Sequence, residues 1–309
     1  MMRRAAGVLF YAAALVFLVS YLGSLEWHTM ARTRIGWGYL ALGVLAGALH
    51  RFYLPLVWFL IVRDMGAGDV GYREYNSLYA KAWLGRYVPG KVAMVAARTY
   101  FAERMGVSRS VLFVCTFIEM GVQIVVSTAG GLIGIASLGE GLGAIAEYRR
   151  LAYGLVLVLF VALLPPVLSA LLRAACRILE RARVVAPPSV RPGTVLKTVF
   201  GSIVGAALLA VYVNLIVAAV DVTAARHPLF VWGAYSLAGA LGTVAFFAPS
   251  GLGVREAVLL PLLALVVTKE TALAMVVLAR LAELVIDGVY CSASAWLGTA
   301  GAAGNPPRP

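Results

Sequence analysis

Between Val199 and Val220 the chain reads VFGSIVGAALLAVYVNLIVAAV, without a single charge. A run of roughly 18 or more apolar residues is long enough to cross the hydrocarbon core of a bilayer as a helix. Lipid offers backbone N–H and C=O groups no partner, so such a run must close its hydrogen bonds within a helix or a sealed barrel. Further runs cover about Gly7–Leu22, Gly36–Val62, Ser110–Ser137, Leu151–Leu172 and Thr271–Leu297. None alternates in the segments of about ten residues that barrel strands require. The expectation is an all-α polytopic membrane protein. Composition agrees: 62% of the 309 residues are hydrophobic and 13% charged, where a soluble domain carries about a quarter charged. The first run, from Ala5 to Gly23, follows a basic flank but is longer than a signal-peptide core and lacks AxA-like cleavage chemistry. It reads as a retained first helix.

Two places break this pattern. PSGLGVRE, Pro249 to Glu256, puts a proline, two glycines and an Arg-Glu pair between apolar stretches. VPGKVAMVAAR, Val88 to Arg98, is a weaker version of it. Glycine and proline free the backbone from helix geometry, and at membrane depth freed backbone survives only where protein or a watery cavity receives it. Both read as tips of re-entrant helical hairpins, spanning about 72–106 and 230–267. An interfacial amphipathic helix is the other reading of Tyr72–Tyr87.

The order that follows is about six full spans plus two re-entrant hairpins. Residues 1–172 form a first transmembrane repeat, 173–197 a basic, Pro-containing cytoplasmic linker, 198–299 the remaining transmembrane second repeat, and 300–309 a disordered tail. Each half reads span, span, hairpin, then a span with an acidic residue on one face, Glu119 or Glu283. Placing Arg3, Arg4, the first hairpin region, the linker and Arg308 on one side collects most of the basic residues there, which puts the amino terminus in the cytoplasm. Three spans per half then turn the second half upside down, the inverted-repeat design of many secondary transporters.

The net charge of +12 belongs to loops that orient the chain and meet anionic headgroups, so nucleic acid is not expected as a partner. Cys115, Cys176 and Cys291, like His28, His50 and His227, are scattered without metal or redox spacing, and no cofactor is expected. No nucleophile stands beside a base, and Ser250 in PSGLG is not a G-x-S-x-G elbow; an enzyme is not expected. What the membrane does hold is charge: Arg98, Glu119, Arg255, Glu256, Arg280, Glu283 and Asp287, with Lys91 and Arg51 beside them. Arg280, Glu283 and Asp287, at i, i+3 and i+7, share one helix face. Arginines suit a phosphate because their planar fork binds two oxygens at once. The same residues could equally be ion pairs that stitch helices together. Gly201 and Gly205 read as helix packing, and Trp37, Trp58, Trp83, Trp232 and Trp296 as interfacial belts.

PSGLGVREA followed by an Arg-x-x-Glu span, with VPGK followed by an Arg, resembles the transmembrane flippase-like domain of lysylphosphatidylglycerol synthases, over about Gly7–Leu297. The resemblance implies translocation of a phosphate-bearing amphipathic lipid between leaflets of the cytoplasmic (inner) membrane: a phospholipid, an aminoacyl-phospholipid or a polyprenyl-phosphate conjugate. It also implies a polar core at Arg98, Glu119, Arg255, Glu256, Arg280 and Glu283. The alternatives are a small-anion transporter and a non-transporting partner of a lipid-modifying enzyme; a homodimer or a lipid-biosynthesis enzyme is the expected protein partner.

Overall fold

The computed structural model describes residues 34–66, 71–87, 94, 97–98, 107–138, 143–164, 166–168, 170–171, 174, 191–245 and 248–302. The expected first span, the Pro89-Gly90 tip, most of the linker and the last residues of the tail lie outside them. The helices that the described residues delimit follow in this order: α1 Trp37–Asp64, α2 Tyr72–Trp83, α3 Arg109–Ala136, α4 Gly143–Leu163, α5 Pro192–Val220, α6 Pro228–Val244, α7 Val254–Leu263 and α8 Lys269–Ala302. Short 3-10 turns at Leu84–Tyr87, Ala224–Arg226 and Pro249–Gly251 join them, and no strand occurs among the described residues. The all-α expectation stands. Among the described residues three helices are long and apolar enough to cross a membrane: Trp37–Asp64, Val114–Ala136 and Pro192–Val220. The chain is a multi-pass membrane protein.

Element limits differ from the expected ones where local chemistry decides. α4 begins before Leu151 and stops at Leu163, because a residue ahead of Pro165-Pro166 is pushed out of helical geometry. α5 begins at Pro192, inside the expected linker. Proline suits a first helical position, whose N–H has no helical partner anyway.

α1 and α5 lie side by side and antiparallel. At one end Gly36 N–H donates to the Ala219 carbonyl at 2.7 Å. At the other, Lys197 Nζ lies 2.8 Å from an Asp64 carboxylate oxygen. Two packings cross over: α2 packs on α8, and α6 packs on α3. Asn76 Nδ2 donates to Ser294 Oγ at 3.0 Å, and Tyr290 Oη donates to Asn76 Oδ1 at 3.0 Å, tying α2 to α8 through a buried polar cluster. The α3–α6 contact depends on close approach. A Cβ on Gly134 would stand 2.5 Å from Gly233 Cα and 2.4 Å from the Leu229 carbonyl oxygen, so only glycines allow it.

Apolar packing closes around these pairs, with Ile216, Val231, Leu263 and Met275 buried in one cluster and Trp58, Tyr75, Tyr79 and Tyr290 in another. The last group corrects an expectation. Trp37 and Trp296 are exposed near helix ends, as belt residues are, whereas Trp58 is fully buried. Its ring meets Tyr75 and Tyr79 edge to face, a geometry aromatic pairs favour.

Candidate functional site

PSGLGVRE breaks the helix as its composition requires. Ser250, Gly251 and Gly253 have φ of 50°, 72° and 75°, the left-handed region that glycine enters freely and serine only at a cost. The chain turns there and restarts as α7, placing Arg255 and Glu256 in its first turn. Gly242 of α6 makes room: a Cβ on it would stand 2.5 Å from Arg255 Cγ.

Glu283, near the middle of α8, collects the arginines. Arg255 Nη1 donates to both its oxygens at 3.1 Å, Arg280 Nη1 at 3.0 Å and Arg86 Nη2 at 3.3 Å. Arg51 of α1 stands 3.9 Å away. Arg280 also reaches Glu256 through Nε at 2.5 Å. One turn along α8, Asp287 lies 2.8 Å from Arg51 Nε as a charge contact, accepts from Arg86 Nη1 at 3.4 Å and accepts from Tyr87 Oη at 2.7 Å. The guanidiniums of Arg51 and Arg86 lie 4.2 and 4.7 Å from the Trp83 ring centre, close enough for cation–π attraction.

A second pair sits beside this cluster. Arg98 donates to Glu119 of α3 at 2.5 Å, and Tyr79 Oη donates to the other oxygen at 3.3 Å. The arrangement repeats the first: an arginine beyond a tip, held by a glutamate on the next helix. The 3-10 turn after α2 touches the PSGLG break. Arg86, in the 3-10 turn ahead of VPGK, donates through Nε to Ser250 Oγ at 3.1 Å.

These groups surround a cavity of about 200 Å³ lined by Arg51, Arg86, Arg98, Arg255 and Arg280, and by Glu119, Glu256 and Glu283. Tyr235 and Ser236 of α6 line it too, and their hydroxyls are buried without a hydrogen-bond partner. Arg98 Nε, Arg255 Nε and Glu256 Oε2 are in the same position. Buried polar atoms are normally paired, so this many unpaired atoms around one cavity is the chemistry of a site that receives a polar guest. Most of the ions are less than one-tenth exposed at the side chain: Arg51 7%, Arg98 2%, Glu119 8%, Arg280 8%, Asp287 4%. Charge buried at this depth is tolerated only when paired and hydrogen-bonded.

Of the residues singled out in the sequence, Arg255, Glu256, Arg280, Glu283 and Asp287 come together in one network, with Arg98 and Glu119 on the same cavity wall. Lys91 lies outside the described residues. Arg51 belongs fully to the network. Arg86 does as well, although in the sequence it reads as one basic loop residue among several. The available signal was its place two residues ahead of VPGK, mirroring Arg255 two residues after PSGLG.

A family model described as the lysylphosphatidylglycerol synthase TM region matches residues 56–289. No curated protein matches the chain. The matched span holds both tips and every charged residue of the cavity except Arg51.

Proposed function

The chain belongs to the lysylphosphatidylglycerol synthase TM-region family, which ties it to membrane lipid, and on that premise we propose that it is a lipid flippase for an anionic, phosphate-bearing lipid. The observation that carries this reading is the cavity beside the PSGLG break, where five arginines face three carboxylates, with Asp287 directly behind. Among the described residues the cluster keeps one positive charge more than it compensates. A phosphodiester brings one negative charge and oxygens spaced for a guanidinium fork. About 200 Å³ suits a headgroup and excludes acyl or prenyl chains, which stay in the bilayer.

The paired contacts support an inverted repeat: antiparallel α1 and α5, the crossed packings of α2 on α8 and α6 on α3, and one Arg–Glu pair beyond each tip. Two related halves packed in this way give two arrangements of similar energy, one open to each leaflet. In this reading the amino terminus is cytoplasmic, the membrane is the inner one, and the chain itself makes and breaks no covalent bond.

The test is leaflet exchange. Purified protein is reconstituted into vesicles of phosphatidylcholine and phosphatidylglycerol carrying a fluorescent phosphatidylglycerol, and dithionite quenches whatever reaches the outer leaflet. Faster loss of the inner-leaflet signal with protein than without is expected, with most of the gain gone in Arg255→Gln. No acceleration by the wild-type chain sinks the proposal. Phosphate uptake without lipid exchange would assign the cavity to a small anion.

A further inference from the structure

We propose that the crevice between α3 and α5 is the lateral doorway through which a lipid's phosphate headgroup passes between bilayer and central cavity. This rests on the flippase reading and adds the route.

A second, smaller cavity of about 50 Å³ lies between these helices, with α1 as its floor. It continues into the central one: His50, Leu54, Glu119, Gln123, Ser127 and Leu209 line both. Its α3 wall carries Glu119, Gln123 and Ser127, spaced i, i+4 and i+8 on one face. At 1.5 Å per residue that polar file covers about 12 Å of a hydrocarbon core roughly 30 Å thick. Gln123 is exposed although it sits well inside the apolar segment Val114–Ala136. An amide facing hydrocarbon would forfeit its hydrogen bonds, so this spot is where water or a headgroup meets the protein.

The opposite wall, on α5, is built from small residues: Gly201, Ser202, Gly205 and Ala206. Towards α1 that helix is already in contact, since a Cβ on Gly201 would stand 3.0 Å from Val57. Towards α3 the crevice wall itself is Ser202 and Ala206, while Val199, one turn before, packs against the α3 cluster of Val114, Ile118 and Val122, so the helices are held at that end and open along the small residues. At about 50 Å³ the crevice has room for a few waters. A headgroup passes when α3 and α5 part, sliding from Ser127 past Gln123 to the Arg98–Glu119 pair while its chains stay outside.

The experiment compares Ala206→Phe, which fills the crevice, with Ala207→Phe, the adjacent exposed position outside it, in the same vesicles. Lipid exchange should fall about tenfold in Ala206→Phe and hold within about twofold in Ala207→Phe, while glycerol 3-phosphate affinity of both in detergent stays within about twofold of wild type. A phosphatidylglycerol with a diazirine near the carbonyl end of one chain, photolysed on the wild-type protein, should label peptides around Gln123–Ser127 and Ser202–Ala206. That labelling should vanish in Ala206→Phe and persist on α4. Equal exchange in both variants, or labelling of α4 with none on α3 and α5, overturns the doorway alone. A wild-type protein that moves no lipid overturns the flippase reading first.

Discussion

Arg86 Nε donates to Ser250 Oγ at 3.1 Å across 164 residues of sequence, joining the turn that ends the first hairpin arm to the break at the centre of the second. Through its other nitrogens the same guanidinium reaches Glu283 and Asp287. One side chain thus holds the turn after α2, the PSGLG break and α8 together.

Arg86→Gln should lower lipid exchange by about tenfold or more, because an uncharged amide leaves two buried carboxylates short of a partner. Ser250→Ala removes one neutral acceptor and should cost about 1 kcal/mol of stability or less. Vesicle exchange and thermal unfolding in detergent measure the two. Equal behaviour of both variants would remove Arg86 from its place at the junction.

Glu283→Gln withdraws the carboxylate shared by Arg255, Arg280 and Arg86. Stripping a buried ion cluster of one partner costs about 3–5 kcal/mol. The melting temperature should therefore drop markedly, and lipid exchange with it. Glu283→Asp keeps the charge and should keep more of both; a melting curve unchanged in Glu283→Gln would contradict the burial and pairing described for this residue.

Gly242→Ala tests position separately from charge. The added methyl would sit 2.5 Å from Arg255 Cγ, so the arginine must move while the net charge of the site stays the same. Exchange should fall to near the level of Arg255→Gln. Wild-type exchange in Gly242→Ala would mean that the placement of Arg255 is immaterial.

At the crossing of α3 and α6, Gly134→Ala places a methyl against Gly233 and the Leu229 carbonyl. Overpacking of this kind costs about 1–3 kcal/mol. Gly154→Ala on α4, where nothing lies within 4 Å of the new Cβ, should be neutral or stabilise by up to about 1 kcal/mol, since alanine favours the helix. Denaturation in detergent reads both, and a Gly134→Ala protein as stable as Gly154→Ala would dispose of the close crossing.

Much of the fold is legible locally. Val199–Val220 announces a buried helix because no other structure satisfies its backbone in lipid, and PSGLG announces a break because its residues admit positive φ. Helix limits are less legible: Lys197 looks like linker, yet it lies in α5 paired with Asp64. Trp58 looks interfacial and is core, since hydropathy does not say which face of α1 meets α2.

The site divides along the same line. Charge inside apolar runs marks Arg98, Glu119, Arg255, Arg280 and Glu283 from the sequence alone, because each would be costly in lipid without a partner. Which partner each has is not written there. Arg86 meets Asp287 across 201 residues, a contact made only when α2 lies on α8. What the sequence by itself determined is where the chain must be helical, where it must break and which charges must be buried, all consequences of the hydrogen-bonding and solvation of a few neighbouring residues. The cavity, its arginine excess and the crevice beside it were decided only by tertiary structure, because each depends on how helices distant in the chain are brought side by side.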